Sequence, residues 1–323
     1  MKKTKYIGTI GYALLLFINS FAQGNNEKIE LIPYGDMNQW MVRTVDESFI
    51  IGGATKYLYE IASGDTLKNN TPYQNTLSPW ATSSVMAKVS GIYKGSVTVF
   101  PEKRDDGYCA RLETRIEEVK VFGVINLSVL ATGSVFLGEM IEPVRDTKNP
   151  QSKLNHRILF DKCPVALEFD YKVSPGGKQV KATGFGKPKN LDIQNNAEAC
   201  LYLQYRWEDE EGNIFAKRVA TAYERYDKEV PEWQNAHRIP IYYGDISHET
   251  FFQPYMDLVK GEQTQYAKNS KGETKPIQEI GWAEPGTRPT HIVLRFSSGH
   301  GGAYIGTPNA KFWLDNVKLI YDE

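Results

Sequence analysis

Across residues 164–173 apolar and polar side chains alternate strictly, Val165, Leu167, Phe169, Tyr171 and Val173 against Ala166, Glu168, Asp170 and Lys172. A period of two is that of a β-strand with one buried row. Ser174-Pro175-Gly176-Gly177 then supplies turn chemistry. Residues 200–207 place Leu201, Leu203, Tyr205 and Trp207 on one face, and Asp209-Glu210-Glu211-Gly212-Asn213 predicts a hairpin into Ile214-Phe215. Residues 291–296 form a third strand, with shorter ones at 96–100, 108–114, 119–127 and 239–243. Residues 220–228 and 251–260 are compatible with short helices, neither carrying a long apolar stripe. Residues 178–196, rich in Lys, Gly and Asn, read as a long connection. Many short strands without regularly interleaved helices predict an all-β fold, an antiparallel β-sandwich.

The last strand slips. Phe312 and Leu314 alternate in one register, Val317, Leu319 and Tyr321 in the other. A one-residue slip swaps faces, so a bulge at Asp315-Asn316 is expected, keeping both halves buried and re-aiming a carboxylate and an amide. Such a pair either holds a ligand or cation or simply stabilises the bend.

Composition narrows the partners. Among 323 residues, 38 Lys+Arg nearly balance 39 Asp+Glu, which argues against nucleic acid as a partner. Met1-Lys2-Lys3-Thr4-Lys5, an apolar stretch over residues 6–17 and small residues up to Ala22 have the layout of a bacterial signal peptide, residues 1–22. The apolar run is shorter than the roughly 20 residues that span a bilayer. The expectation is an exported protein of the periplasm, outer surface or medium, without a membrane span in the mature chain. No Cys follows the cut, so it is not expected to be a lipoprotein. Cleavage removes three lysines and takes the formal charge from −1 to −4. Cys109, Cys163 and Cys200 are odd in number and lack metal or redox spacing. They read as small buried side chains, with one oxidised pair left open.

Four stretches stand out in order: Gly107-Tyr108-Cys109-Ala110-Arg111-Leu112-Glu113, Ala131-Thr132-Gly133-Ser134-Val135-Phe136-Leu137-Gly138, Cys163-Pro164-Val165 through Gly176, and the closing Phe296-Ser297-Ser298-Gly299-His300-Gly301-Gly302 through Gly306 with Phe312-Trp313-Leu314-Asp315-Asn316-Val317 through Tyr321. Together they resemble the putative carbohydrate metabolism domain (PCMD) family of bacterial exported proteins. The resemblance implies a β-jelly-roll, galactose-binding-like, in one domain over residues 23–323 with a divergent first third, about 23–85. Ile32-Pro33-Tyr34-Gly35-Asp36-Met37-Asn38-Gln39-Trp40 looks like the opening of carbohydrate-binding jelly rolls, with Met37 and Asn38 replacing their Phe and Glu. In related sandwiches the opening and closing strands lie together around a structural calcium. That implicates Asp36 and Asp315 as metal ligands, although the missing carboxylate at position 38 removes a hard ligand. No other cofactor is implied.

A carbohydrate partner needs a flat apolar platform beside hydrogen-bonding groups, which Trp and Tyr combine. Candidates are Trp40, Trp80, Trp233, Trp282 and Tyr304, with Trp233 and Trp282 preferred because their neighbours are polar and do not alternate. Trp207 and Trp313 read as packed strand residues. Glu117-Glu118 and Asp209-Glu210-Glu211 read as solvated charge, and no nucleophile elbow, zinc spacing or nucleotide fingerprint appears. The expected function is non-catalytic glycan binding. A carbohydrate-active enzyme with a hidden carboxylate pair, or an envelope module with a protein partner, remain alternatives.

Overall fold

The computed structural model describes residues 27–121 and 125–322. The signal-peptide reading falls on residues 1–22, outside them.

The alternating segment forms the strand Ala166–Ser174, flanked by the edge strand Val230–Pro240 and by the closing strand Lys311–Asp322. The closing strand pairs in turn with Gly107–Glu113 and with Glu27–Leu31. Val99–Arg104 completes this sheet. The second sheet is built on the long hairpin Ala197–Glu208 and Ile214–Tyr226, followed on one side by His291–Ser297, Ser134–Leu137 and Trp80–Thr82. On its other side Thr274–Trp282 runs parallel to Ile214–Tyr226, so this sheet is mixed.

The two sheets face each other. Leu167, Phe169, Tyr171 and Val173 meet Ala199, Leu201, Leu203, Leu294 and Phe296 in one apolar cluster, with Phe169 edge-on to Phe296 at 4.9 Å. This is the expected all-β sandwich. Deleting these side chains from water supplies the main stabilising term of the fold.

The bulge sits at its predicted place. Asn316 has φ 51°, the pairing with Ala166–Ser174 shifts register between Glu168 and Asp170, and Phe312, Leu314, Val317 and Leu319 all reach the core. Asn316 Nδ2 donates to Asp170 at 2.8 Å, holding the bend. Asn316→Ala is expected to lose about 1–2 kcal/mol in denaturant unfolding, through a strained left-handed Ala and a lost hydrogen bond. Asn316→Gly, free of the strain, should lose less; equal losses would show that backbone conformation does not matter there.

The opening turn docks on this strand, as the resemblance implied. Val317 N donates to Gly35 O at 2.9 Å and Ile32 N to Val317 O at 3.0 Å. A Cβ on Gly35 would lie 2.6 Å from Val317 O, so only glycine permits that approach.

Three expectations fail. Residues 220–228 are no helix: Ala220, Ala222 and Tyr226 belong to the strand Ile214–Tyr226 and turn into the core, because pairing with Ala197–Glu208 and core burial override helix propensity. Residues 251–260 contain only the 3-10 turn Pro254–Met256. Residues 178–196 are not one connection but three short strands, Lys178–Lys181, Thr183–Phe185 and Lys189–Gln194. Cys109 and Cys200 are buried, Cys163 is exposed, and all three are free thiols.

Candidate functional site

The outward row of the mixed sheet is unusual in its chemistry. In Ala197–Glu208, Ala199, Leu201 and Leu203 point inward, so Glu198, Cys200 and Tyr202 point out. Register places Arg225 directly opposite Glu198, and Tyr223 and Arg295 opposite Cys200 on its two neighbours. Glu198 is 2% exposed. One of its oxygens accepts Arg295 Nη2 at 2.5 Å. The other accepts the Tyr223 hydroxyl, with Arg225 Nε further off at 3.4 Å. Burial disfavours charge on Arg295, but Glu198 together with Cys200, Tyr223 and Tyr202 more than offsets it and the pKa is raised. Burial, reinforced by Glu198, keeps the Tyr223 hydroxyl protonated far above the ordinary tyrosine range.

Two cavities open above this network, of about 320 and 300 Å³. Both are lined by Arg295 and Gln263. The larger has apolar walls such as Val85, Ile92, Val129 and Met140, with Glu117, Glu198, His300 and Tyr304 among its polar lining. The smaller is lined by Tyr202, Tyr223, Tyr255, Arg225, Lys260 and Gln265, among others. Volumes of this size, apolar walls and a few converging polar groups are what small-molecule sites have in common.

Local structure fixes several of these groups. Asn196 N lies 3.0 Å and Asn196 O 3.2 Å from His300 Nδ1, so the backbone of Asn196 fixes the ring. Burial and then Arg225 lower the His300 pKa, which favours the neutral ring. The Arg225 guanidinium lies 4.5 Å over the Tyr255 ring, and Tyr255 meets Tyr223 edge-on at 4.8 Å. Thr132 Oγ1 on the larger cavity and Gln265 Oε1 on the smaller are buried and find no partner in the protein. Such atoms are costly to bury unless something accepts or donates to them.

The expected platform residues are scattered. Tyr304 lines the larger cavity, its hydroxyl donating to Thr147 O at 2.8 Å. Trp233 lies on the opposite sheet, on its edge strand, with Arg104 3.9 Å over its ring and Lys172 at 5.6 Å. Trp282 is half-buried at the end of Thr274–Trp282, 5.7 Å from Arg218. Trp40 packs partly against the core and donates Nε1 to Met37 O at 2.6 Å. Trp80 requires correction: it is 0% exposed, with Nε1 given to Pro33 O, because Ser78-Pro79 leads straight into a buried strand. It cannot meet a sugar. Trp207 lies on a strand and stacks on Phe215, as expected of a packed strand residue, but it is 36% exposed and outside the core. Glu117, read as solvated, turns toward the larger cavity beside Lys94 at 3.5 Å.

The residues proposed for calcium do not fit it. Asp315 Oδ2 accepts Arg104 Nη1 at 2.8 Å and its Oδ1 accepts Asn316 N at 2.8 Å. The guanidinium already supplies the positive charge between Asp315 and Asp170, the latter at 2.9 Å. Asp36 instead accepts Asn38 Nδ2. Calcium needs six to eight oxygens, and among the described residues no group of three or more acidic, His or Cys side chains gathers for a metal.

Sequence reasoning missed Glu198, Tyr223, Arg225, Tyr255 and Arg295. The available signal was a polar row, Glu198 and Gln204 with Arg295, on strands whose other row is wholly apolar.

No known family profile matches the chain, and no curated protein does. Among solved structures, the chain is similar to a putative glycoside hydrolase from Bacteroides thetaiotaomicron, at 17% identity and TM-score 0.44 over 87% of this chain and 71% of that one. Another, a putative glycoside hydrolase from Bacteroides vulgatus, matches at 14% identity and TM-score 0.37 over 90% and 94%. Likeness of this degree transfers no activity to the chain.

Proposed function

We propose that this is an exported, non-catalytic carbohydrate-binding protein whose site is the double cavity on the outer face of the mixed sheet. The observation that carries the reading is the meeting of the two cavities at Arg295 and Gln263 over the Glu198 network. Apolar walls suit the C–H faces of pyranose rings, and Tyr255, neutral His300, Thr132 and Gln265 offer aromatic surface and hydrogen bonds for hydroxyls. The motif resemblance to the PCMD family supports the same substrate class. Glu198 favours binding over chemistry, since both of its oxygens are engaged by Arg and Tyr donors.

The test is calorimetry with oligosaccharides selected on a glycan array. Binding is expected, and Tyr255→Ala should weaken it about tenfold or more, roughly 1.4 kcal/mol. Trp233→Ala with Trp282→Ala should leave it unchanged. Absence of binding across plant, host and microbial glycans, or loss only in the tryptophan double variant, would reject this site.

One observation favours a second reading. Glu117 and Glu198 both line the larger cavity, and glycosidases place two carboxylates about one bond. Product release from a polysaccharide panel, abolished by Glu117→Gln while binding survives, would select an enzyme instead.

A further inference from the structure

The smaller cavity has a surplus of positive charge. Arg225, Arg295 and Lys260 line it against one acid, Asp257. Glu198, beneath the floor, is committed to Arg295 at 2.5 Å and accepts the Tyr223 hydroxyl on its other oxygen. Arg225 therefore reaches Glu198 only at 3.4 Å and the Tyr223 hydroxyl only at 3.3 Å, both at the outer limit of a hydrogen bond. One carboxylate faces two guanidiniums, and Arg225 is left undersatisfied.

Arg225 is nevertheless held in place. Its guanidinium lies 4.5 Å over the Tyr255 ring and 5.5 Å from Tyr223. A planar donor fork, fixed by stacking and short of acceptors, is suited to an oxyanion, which it can bind through two parallel hydrogen bonds. Gln265, whose buried Oε1 has no partner, lies in the same cavity and would accept a neighbouring hydroxyl. The walls thus present cations for an anion and an amide acceptor for a hydroxyl within one cavity.

We propose that the smaller cavity is an acidic-sugar subsite, in which Arg225 and Lys260 hold the carboxylate or sulfate group of an anionic glycan residue. This rests on the carbohydrate-binding reading above and names the class of sugar. Neutral sugars would leave Arg225 desolvated without a new acceptor, so the subsite discriminates against them.

The experiment is calorimetry with the whole chain on three matched series: uronic-acid oligosaccharides, sulfated oligosaccharides, and neutral oligosaccharides of the same backbones. At least one acidic series is expected to bind tenfold or more tightly than its neutral counterpart, with affinity falling as salt rises. The series that binds identifies the oxyanion. Arg225→Gln and, separately, Lys260→Gln should narrow that preference at least fivefold, with Arg225→Lys keeping part of it. Lys260 is exposed, so its variant serves if Arg225→Gln fails to fold. Equal binding of acidic and neutral series, unmoved by these variants, would overturn the subsite and leave the carbohydrate reading standing. No binding by any series would overturn both.

Discussion

Glu279→Ala is expected to cost about 3–5 kcal/mol of folding stability, because it strands a fully buried guanidinium. Arg218 is 0% exposed. Its Nε donates to Glu279 Oε1 at 2.7 Å, its Nη2 to Oε2 at 2.5 Å, and its Nη1 to Thr221 Oγ1 at 3.0 Å. Burial alone would raise the Glu279 pKa, yet Arg218 prevails and holds it below the usual value. The guanidinium also lies 3.5 Å over the Tyr202 ring. Once the carboxylate is gone, Thr221 is the remaining hydrogen-bond partner of the guanidinium among the described residues, and it carries no charge. Glu279→Gln retains the shape and some hydrogen bonding and should lose less. Chemical denaturation of the three proteins at pH 7 checks this, and a loss below about 1 kcal/mol in the Ala variant would refute the account. The exposed pair Lys178–Asp192 provides the contrast, since its removal should change almost nothing.

The same substitution bears on the site. Glu279 Oε2 accepts Val259 N at 2.7 Å, and Val259 packs with Tyr255 and Met256 against the cluster of Cys200, Tyr202, Tyr223 and Val293. Glu279 therefore anchors the segment that walls the smaller cavity. On the proposed function, glycan affinity should fall with stability in Glu279→Ala, whereas Tyr255→Ala should lower affinity by more than its smaller loss of packing accounts for.

The sandwich was legible in the sequence because its inner rows are simple. Leu167 to Val173 alternate without exception, and the slip from Leu314 to Val317 located a bend at the pair Asp315-Asn316, where Asn316 takes a positive φ. The failures share a cause. Ala220 and Ala222 favour helix in isolation, but they are small enough to sit at 0% exposure between facing sheets, and pairing decides their state. The site was less legible still. Arg225, Arg295 and Glu198 are separated by up to 97 residues, and only the register of three strands brings them together. Tryptophans drew attention by their type, yet Trp80 supports the core and Trp233 lies under a guanidinium on the opposite sheet. Of the five, Tyr304 lines one of the two cavities above the network, and the four tryptophans line neither.

Acidification is expected to destabilise the protein through His156. This ring is 3% exposed, packs at 5.3 Å against Phe136, and leaves Nδ1 buried without a partner. Burial, then Arg206 and Arg295, lower its pKa from 6.5 to about 3. The unfolded chain takes up this proton as pH falls below 6.5, while the folded chain refuses it. Stability from the neutral imidazole is thus fully present above pH 6.5 and declines toward pH 3, by about 1.4 kcal/mol per pH unit for one proton. His291, lowered to about 4 by burial and Arg206, acts in the same direction over a shorter range. Asp315 opposes them. Burial raises its pKa to about 6, so its contribution favours the fold below its unfolded value of 3.8 and is lost as pH rises through 6. Wild type and His156→Gln should therefore be unfolded in urea at pH 7, 5.5 and 4.5. Gln keeps hydrogen-bonding capacity but does not titrate, so the wild type should lose its advantage over the variant by about 1.4 kcal/mol per unit below pH 6. A difference that stays constant over that range would show that His156 is protonated as readily in the folded protein as in the unfolded chain.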